Sequence, residues 1–272
     1  MKSNTVNINN SGDLVYITFP KLERCGVVRH TFSTRYGGVS KGKYSSMNLS
    51  FLNGDSIEAV TENYRRICSA VGIDTAHLVL SRQTHTKNVR VVTEADCGTG
   101  YTKPSFLDVD GLITNCRGVA LVTQYADCTP LLFCDPVKRV IATSHAGWRG
   151  TALKIGAETV KKMQSEFGCN PSDIIAAIGP AIDSCCYEVD TPVFEAFKNI
   201  GISLDGVFFK TDETHYRLNI KEANRRILIA SGILPSNIDV ADICTCCNSA
   251  ALHSHRATGG ERGNLAAIIE LV

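Results

Sequence analysis

The chain has 272 residues, a formal net charge of +1, 44% hydrophobic content and 20% charged content. That length can bury a large core in one domain or two, and the near-zero charge removes the field that would draw nucleic acid or an anionic membrane. No apolar run is long enough to span a bilayer, and the polar start MKSNTVNINNSGD lacks the apolar core of a signal peptide. The expected setting is the cytoplasm, where twelve cysteines read as reduced thiols or metal ligands and not as a disulfide framework.

Residues 1–13 read as a frayed arm. Leu14 to Phe19 and Val27 to Phe32 are strand-like, a hairpin joined through Pro20 to Gly26. Ser33 to Ser40 is a glycine-containing loop that carries Arg35 among hydroxyls, and Asn48 follows in the same irregular region. Asp55 to Gly72 is a helix: Ile57, Val60, Tyr64, Ile67 and Val71 recur at helical spacing, with Asp55 or Ser56 to cap and Gly72 to stop it. Gln83 and His85 lie in a polar loop between strand-like runs at Leu78 to Leu80 and Val89 to Thr93. Residues 94–108 form a loop long enough to be a flap, and Asp108 to Thr114 is a further strand candidate.

Val119 to Tyr125 is apolar and β-branched enough for a buried strand, broken by Asp127-Cys128-Thr129-Pro130. A short apolar run, Leu131 to Cys134, and a strand, Val140 to Ser144, follow. Cys128 and His145 thus both stand just past strand ends, where open α/β sheets carry their binding residues. A thiol beside an imidazole can bind zinc or a softer ion, form a nucleophile–base pair, or simply pack in the core.

Ala146 to Gly150 turns the chain into a helix predicted over Thr151 to Gly168, with Arg149 at its start. Ile174 to Ile178 and Ile238 to Ile243 are strands, Thr191 to Ile200 and Ile220 to Gly232 helices, and Leu265 to Leu271 the final strand. Cys244-Thr245-Cys246-Cys247 looks like part of a zinc ribbon, but no second pair stands at ribbon spacing. Cys185, Cys186, Cys246 and Cys247 are therefore expected to be packed thiols that metal binding does not need. With no repeat, linker or charge run to divide it, residues 14–272 read as one α/β domain.

Five motifs in this order and spacing carry a resemblance: QTH around His85, ADCTPLLFCDP around Cys128, HAGWRGT around His145, GPAIDSCCYEV at 179–189, and CT followed by SHR at 254–256. From about Thr31 onward the chain resembles the bacterial laccase-domain family, whose members are also described as purine nucleoside phosphorylases, polyphenol oxidases or peptidoglycan-editing factors. The resemblance implies a single α/β domain with two mixed sheets sandwiched between helices (α/β/β/α). It implies a zinc held by His85, Cys128 and His145, with copper as the other metal, and catalytic roles for Cys128, His145 and Arg149. Arg35, Asn48, Gln83 and Arg256 fall in its loop motifs as substrate- or anion-binding candidates. The implied activity is phosphorolysis of adenosine, inosine or methylthioadenosine and deamination of adenosine, with nucleoside and phosphate as partners. Many members end the last motif with Gly-Arg; here the order is Arg262-Gly263, and no role carries over to that arginine.

Three protein ligands leave a fourth tetrahedral position open, as catalytic zinc sites do. Arg149 beside a helix N-terminus suits an anion such as phosphate. Three rivals stand beside this reading. A multicopper oxidase needs several His-x-His pairs, and this chain has seven histidines and one such pair, His253 and His255. A metal-independent cysteine hydrolase or amidase acting in peptidoglycan editing would use Cys128 and His145. A zinc-binding interaction module would not need so many separated polar loops.

Overall fold

Two six-stranded mixed sheets pack face to face in the computed structural model, which describes residues 1–272. The first sheet runs in the order Asn7–Ser11, Leu14–Thr18, Val28–Ser33, Leu265–Leu271, Ala120–Tyr125, Leu78–Val79. The second runs Ile238–Val240, Ile175–Ile178, Thr129–Asp135, Val140–Ala146, Gly111–Thr114, Val89–Val91. Pairing is antiparallel except at Leu78–Val79 with Ala120–Tyr125 and at both edges of the second sheet.

The strands read as unbroken apolar runs because both of their faces are buried. Leu121, Leu132, Ile141, Ala267 and Ile269 point into the core between the sheets. Their neighbours alternate outward. Ala120, Val122, Ala266 and Ile268 meet the helix Ile57–Val71, and Leu131, Phe133, Val140 and Ala142 meet the helices Ile155–Phe167 and Ile220–Ala230. The result is the α/β/β/α layering that the resemblance implies.

Local chemistry sets the element ends. Ser56 accepts from the Ala59 N–H at the start of Ile57–Val71, and Gly72 closes it in the left-handed region at φ 72°. Three expectations need correction. Asn7–Ser11 is a strand, paired along its whole length with Leu14–Thr18 around Gly12, so it is not a frayed arm. Leu14–Thr18 does meet Val28–Ser33, but Pro20 to Arg24 between them is a helical turn. The helix expected over Thr151 to Gly168 is two: Trp148–Ala152 and Ile155–Phe167, separated where Lys154 takes φ 58°.

The strand Ala120–Tyr125 belongs to the first sheet and Thr129–Asp135 to the second. Ala126, Asp127 and Cys128 alone carry the chain across, which places Cys128 at the junction of the two sheets.

Candidate metal and substrate site

Three segments converge on Cys128. His145 comes from the strand Val140–Ala146, which pairs with Thr129–Asp135 so that His145 stands opposite Pro130. His85 comes from the loop between Ser81–Arg82 and Val89–Val91, at φ 67°. A positive φ is costly for a residue with a β-carbon, so something must hold it there.

Asp110 does. Fully buried, it accepts from the backbone N–H groups of Thr84 (3.1 Å), His85 (3.0 Å) and Thr86 (2.9 Å), and from the Thr86 hydroxyl (2.9 Å). The same carboxylate takes a hydrogen bond from His145 Nδ1 at 2.8 Å. One side chain therefore folds the His85 loop and sets the His145 tautomer, leaving Nε2 for other work. Burial pushes the Asp110 carboxyl up, but the His145 contact and the N–H groups of Thr86 and Thr84 outweigh it and bring it down to about 2.

The donor atoms of His85, Cys128 and His145 lie within 4.8 Å of one another. His85 Nε2 is 3.9 Å from Cys128 Sγ, where a tetrahedral zinc at ordinary bond lengths puts nitrogen and sulfur about 3.5 Å apart. A β-carbon on Gly147 would lie 2.8 Å from His85 Cδ2 and 3.0 Å from Cys128 Sγ, so only glycine fits beneath the three donors. Burial pushes the Cys128 thiol up, but His145 and then His85 draw it down to about 6. Burial pushes the His145 imidazole down, and Cys128 and Asp110 carry it up to about 9. The donor set, its spacing and the Asp110 support all fit a metal ion.

These donors line a cavity of about 630 Å³. Gln83 and Arg256 are on its wall, whereas Arg35, Asn48 and Arg149 are not. Arg35 spends its guanidinium on the carbonyls of Ser45 (2.8 Å) and Ser249 (2.7 Å). Asn48 is buried and accepts from the Asn264 N–H while bonding Asn53, two residues that do face the cavity. Gln83 grips both backbone groups of Gln124, tying the His85 loop to the first sheet. Arg256 donates to the carbonyls of Cys186 (3.0 Å) and Glu188 (2.9 Å).

Arg149 is exposed and lies over its own neighbour, the Trp148 ring, at 4.3 Å. The helix it sits in has five residues, too short for the dipole on which its expected anion role rests.

Arg262 stands where sequence reasoning carried no role. It lines the cavity, its Nε is buried without a partner, and no carboxylate pairs with it. Its Nη1 donates to the Gly263 carbonyl and to Asn264 Oδ1. Burial lowers its pKa, with Asp127 and Cys128 opposing. Gly263 brings the backbone so close to His253 that a β-carbon would lie 2.6 Å from its Nε2.

The remaining cysteines, expected as separate packed thiols, are partly brought together. Cys185, Cys186, Cys244 and Cys247 bring four sulfur atoms within 4.8 Å of one another, while Cys246 stays outside the group. His253 is buried and without a hydrogen-bond partner, and the His253–His255 pair joins no metal-capable group, so the chain lacks the histidine clusters of a multicopper centre.

Residues 29–272 match the family described as multi-copper polyphenol oxidoreductase laccase. The chain is 38% identical over 240 residues to the purine nucleoside phosphorylase YlmD of Bacillus subtilis, covering 88% of this chain and 86% of that one. It is 32% identical to the adenosine deaminase RL5 of an unknown prokaryotic organism, over 85% of this chain and 90% of that one. The crystal structure of the Bacillus licheniformis hypothetical protein YfiH superposes with a TM-score of 0.93 at 33% identity, covering 99% of this chain and 100% of that one.

Proposed function

The chain belongs to the family described as multi-copper polyphenol oxidoreductase laccase, and from that premise we propose that it is a cytoplasmic purine nucleoside enzyme with zinc at His85, Cys128 and His145. Its reactions are phosphorolysis of adenosine, inosine or methylthioadenosine and hydrolytic deamination of adenosine. The observation that carries this reading is a single one. The His85–Cys128–His145 set opens onto a nucleoside-sized cavity whose wall holds the guanidinium of Arg262, with no carboxylate partner and a buried Nε left free. The names of relatives, a phosphorylase and a deaminase, support it independently.

His85, Cys128 and His145 would hold the zinc, which when bound would supply a Lewis acid for the attacking oxygen. The chain's own groups do the rest. Asp110 holds His145 in one tautomer and His85 in its strained backbone. Arg262, desolvated and without a carboxylate, attracts phosphate, and a guanidinium can grip it through two parallel N–H bonds. In phosphorolysis a phosphate oxygen bonds to the sugar C1′ as the bond to the base nitrogen breaks, its electron pair leaving with the purine. In deamination water adds at C6 and ammonia departs. Trp148, Ile182 and Tyr187 give the cavity an apolar side against which a purine face can lie.

The test is metal analysis of the purified protein followed by chromatography of adenosine incubated with and without phosphate. Free adenine is expected only with phosphate, and inosine without it. Absence of both products from zinc-replete protein would sink the proposal. A metal-independent cysteine hydrolase is favoured by one feature, the thiol of Cys128 drawn down beside His145. Amide hydrolysis that survives complete chelation is its signature.

A further inference from the structure

Outside the cavity, two turns bring four thiols together. Cys185 and Cys186 lie on the turn after Asp183, and Cys244 and Cys247 on the turn after Ile243. Ala181 and Cys244 form a β-bridge, and the Thr245 N–H donates to the Ala181 carbonyl at 3.1 Å, which locks the turns side by side. Cys247 Sγ is 3.3 Å from both Cys185 Sγ and Cys186 Sγ. We propose that Cys185, Cys186, Cys244 and Cys247 bind a second zinc ion as a closed four-thiolate site, distinct from the ion at His85, Cys128 and His145.

The geometry fits the chemistry. Zinc–sulfur bonds of about 2.3 Å in a tetrahedron put the sulfurs about 3.8 Å apart, and these four lie between 3.3 and 4.8 Å. Cys244 and Cys247 have the Cys-x2-Cys spacing of zinc-binding turns. The Asp183 N–H points at Cys244 Sγ at 3.4 Å, the kind of backbone donor that orients a thiolate ligand. A disulfide would use only two of the sulfurs, and Cys247 stands equally close to two partners.

An ion pair braces the base of both turns. Lys221, almost fully buried, pairs with Asp183 at 2.7 Å and donates to the carbonyls of Ala241 and Ile243. Cys185 and Cys247 are exposed, so the ion has a way in.

This second ion shapes the cavity wall. Tyr187 and Ile182 flank the first turn and line the cavity, and Arg256 hangs from the carbonyls of Cys186 and Glu188. Thr245, inside the second turn, donates at 2.6 Å to Asp127, the neighbour of Cys128. The ion is a clamp on the wall and touches no substrate.

The test starts from Cys128→Ser, which leaves all four thiols intact. Wild-type protein is expected to hold two zinc ions per chain by plasma mass spectrometry, and Cys128→Ser to keep one. Cobalt added to zinc-free Cys128→Ser should give intense thiolate-to-cobalt charge-transfer bands and the visible absorption of a tetrahedral four-sulfur site. Both should vanish in Cys128→Ser/Cys247→Ser, with Cys185→Ser as the second variant should Cys247→Ser fail to fold. Cys128→Ser that holds no zinc, or that gives cobalt without thiolate bands, overturns the proposal. So does a disulfide at Cys247 in anaerobically purified protein, found by alkylation without reductant. A wild type with a single ion that Cys128→Ser retains overturns the floor reading instead. None of these readouts depends on nucleoside turnover.

Discussion

On the cavity floor, His85, Cys128 and His145 offer three donors of two kinds; at the rim, Cys185, Cys186, Cys244 and Cys247 offer four of one kind. The floor is built on strain. His85 and Asp127 both take positive φ, and a buried carboxylate holds the histidines in place. None of the four rim cysteines has a positive φ, and ordinary turns bring them together. Strain and unshared coordination gather where chemistry is done; relaxed backbone and saturated coordination suit a clamp. The histidines and the buried aspartate, more than the cysteines, separate a working centre from a structural one.

The sharpest way to break that contrast is Asp110→Ala. It strips three backbone N–H groups and His145 of their acceptor, so metal affinity at the floor should fall about 10- to 100-fold. Stability should drop by ~3–5 kcal/mol, as when one member of a buried pair is removed. Zinc at the rim should be untouched. Metal titration of the folded variant reads both, and unchanged floor affinity would show that His85 and His145 hold themselves.

Arg262→Ala comes next. Loss of one charge-assisted contact costs roughly 1.5–3 kcal/mol, about ten- to hundredfold. Phosphorolytic kcat/KM should fall by that factor, with zinc retained and deamination little affected. Arg149→Ala should change phosphate dependence less than threefold or so, within the effect of an exposed charge. Steady-state kinetics at varied phosphate separates the two, and the reverse ranking would return the anion to Arg149.

Acid should act on the fold through two buried histidines. Burial, with the charges of Arg35 and Arg262, holds His253 down to about 3. Burial holds His30 down to about 4, opposed by Asp239. The unfolded chain protonates both near the ordinary value of about 6.5. Below that pH the unfolded state binds more protons, so stability present at neutral pH is lost as pH falls from about 6.5 toward 4. Each histidine contributes up to about 1.4 kcal/mol per pH unit in that window. Urea midpoints at pH 7 and pH 5 measure it; equal midpoints would mean that neither histidine is held neutral.

The smallest effect belongs to Cys246→Ala. This residue lies between two rim ligands yet outside their group, so the variant should keep both zinc ions and change stability by no more than ~1 kcal/mol. Stoichiometric zinc loss would redraw the rim site.

How much of this the sequence carries depends on distance along the chain. The helix Ile57–Val71 is legible because its caps and apolar spacing are local, and the strands Ala120–Tyr125 and Leu265–Leu271 because burial on both faces leaves unbroken apolar runs. His85, Cys128 and His145 are legible through motifs. Asp110 is not, because its partners stand about 25 residues upstream and 35 downstream, and only the fold introduces them. Its one trace is an acidic residue opening an apolar strand. Arg262 is hidden for a similar reason: the close approach of Gly263 to His253 places it, and arginine beside glycine reads as a surface turn. The rim site escapes a search for paired Cys-x2-Cys motifs because half of it is a vicinal pair, delivered by the bridge from Ala181 to Cys244.

The crossing at Ala126, Asp127 and Cys128 has a consequence for how the molecule breathes. A tether of three residues gives the two sheets no slack to slide past each other without dragging the thiol along. Cys128 is thus held by both sheets at once, and the amides of the two strands it joins should exchange with solvent only when the sandwich opens. Lengthening that tether by even one residue would loosen the chemistry before it loosened the core.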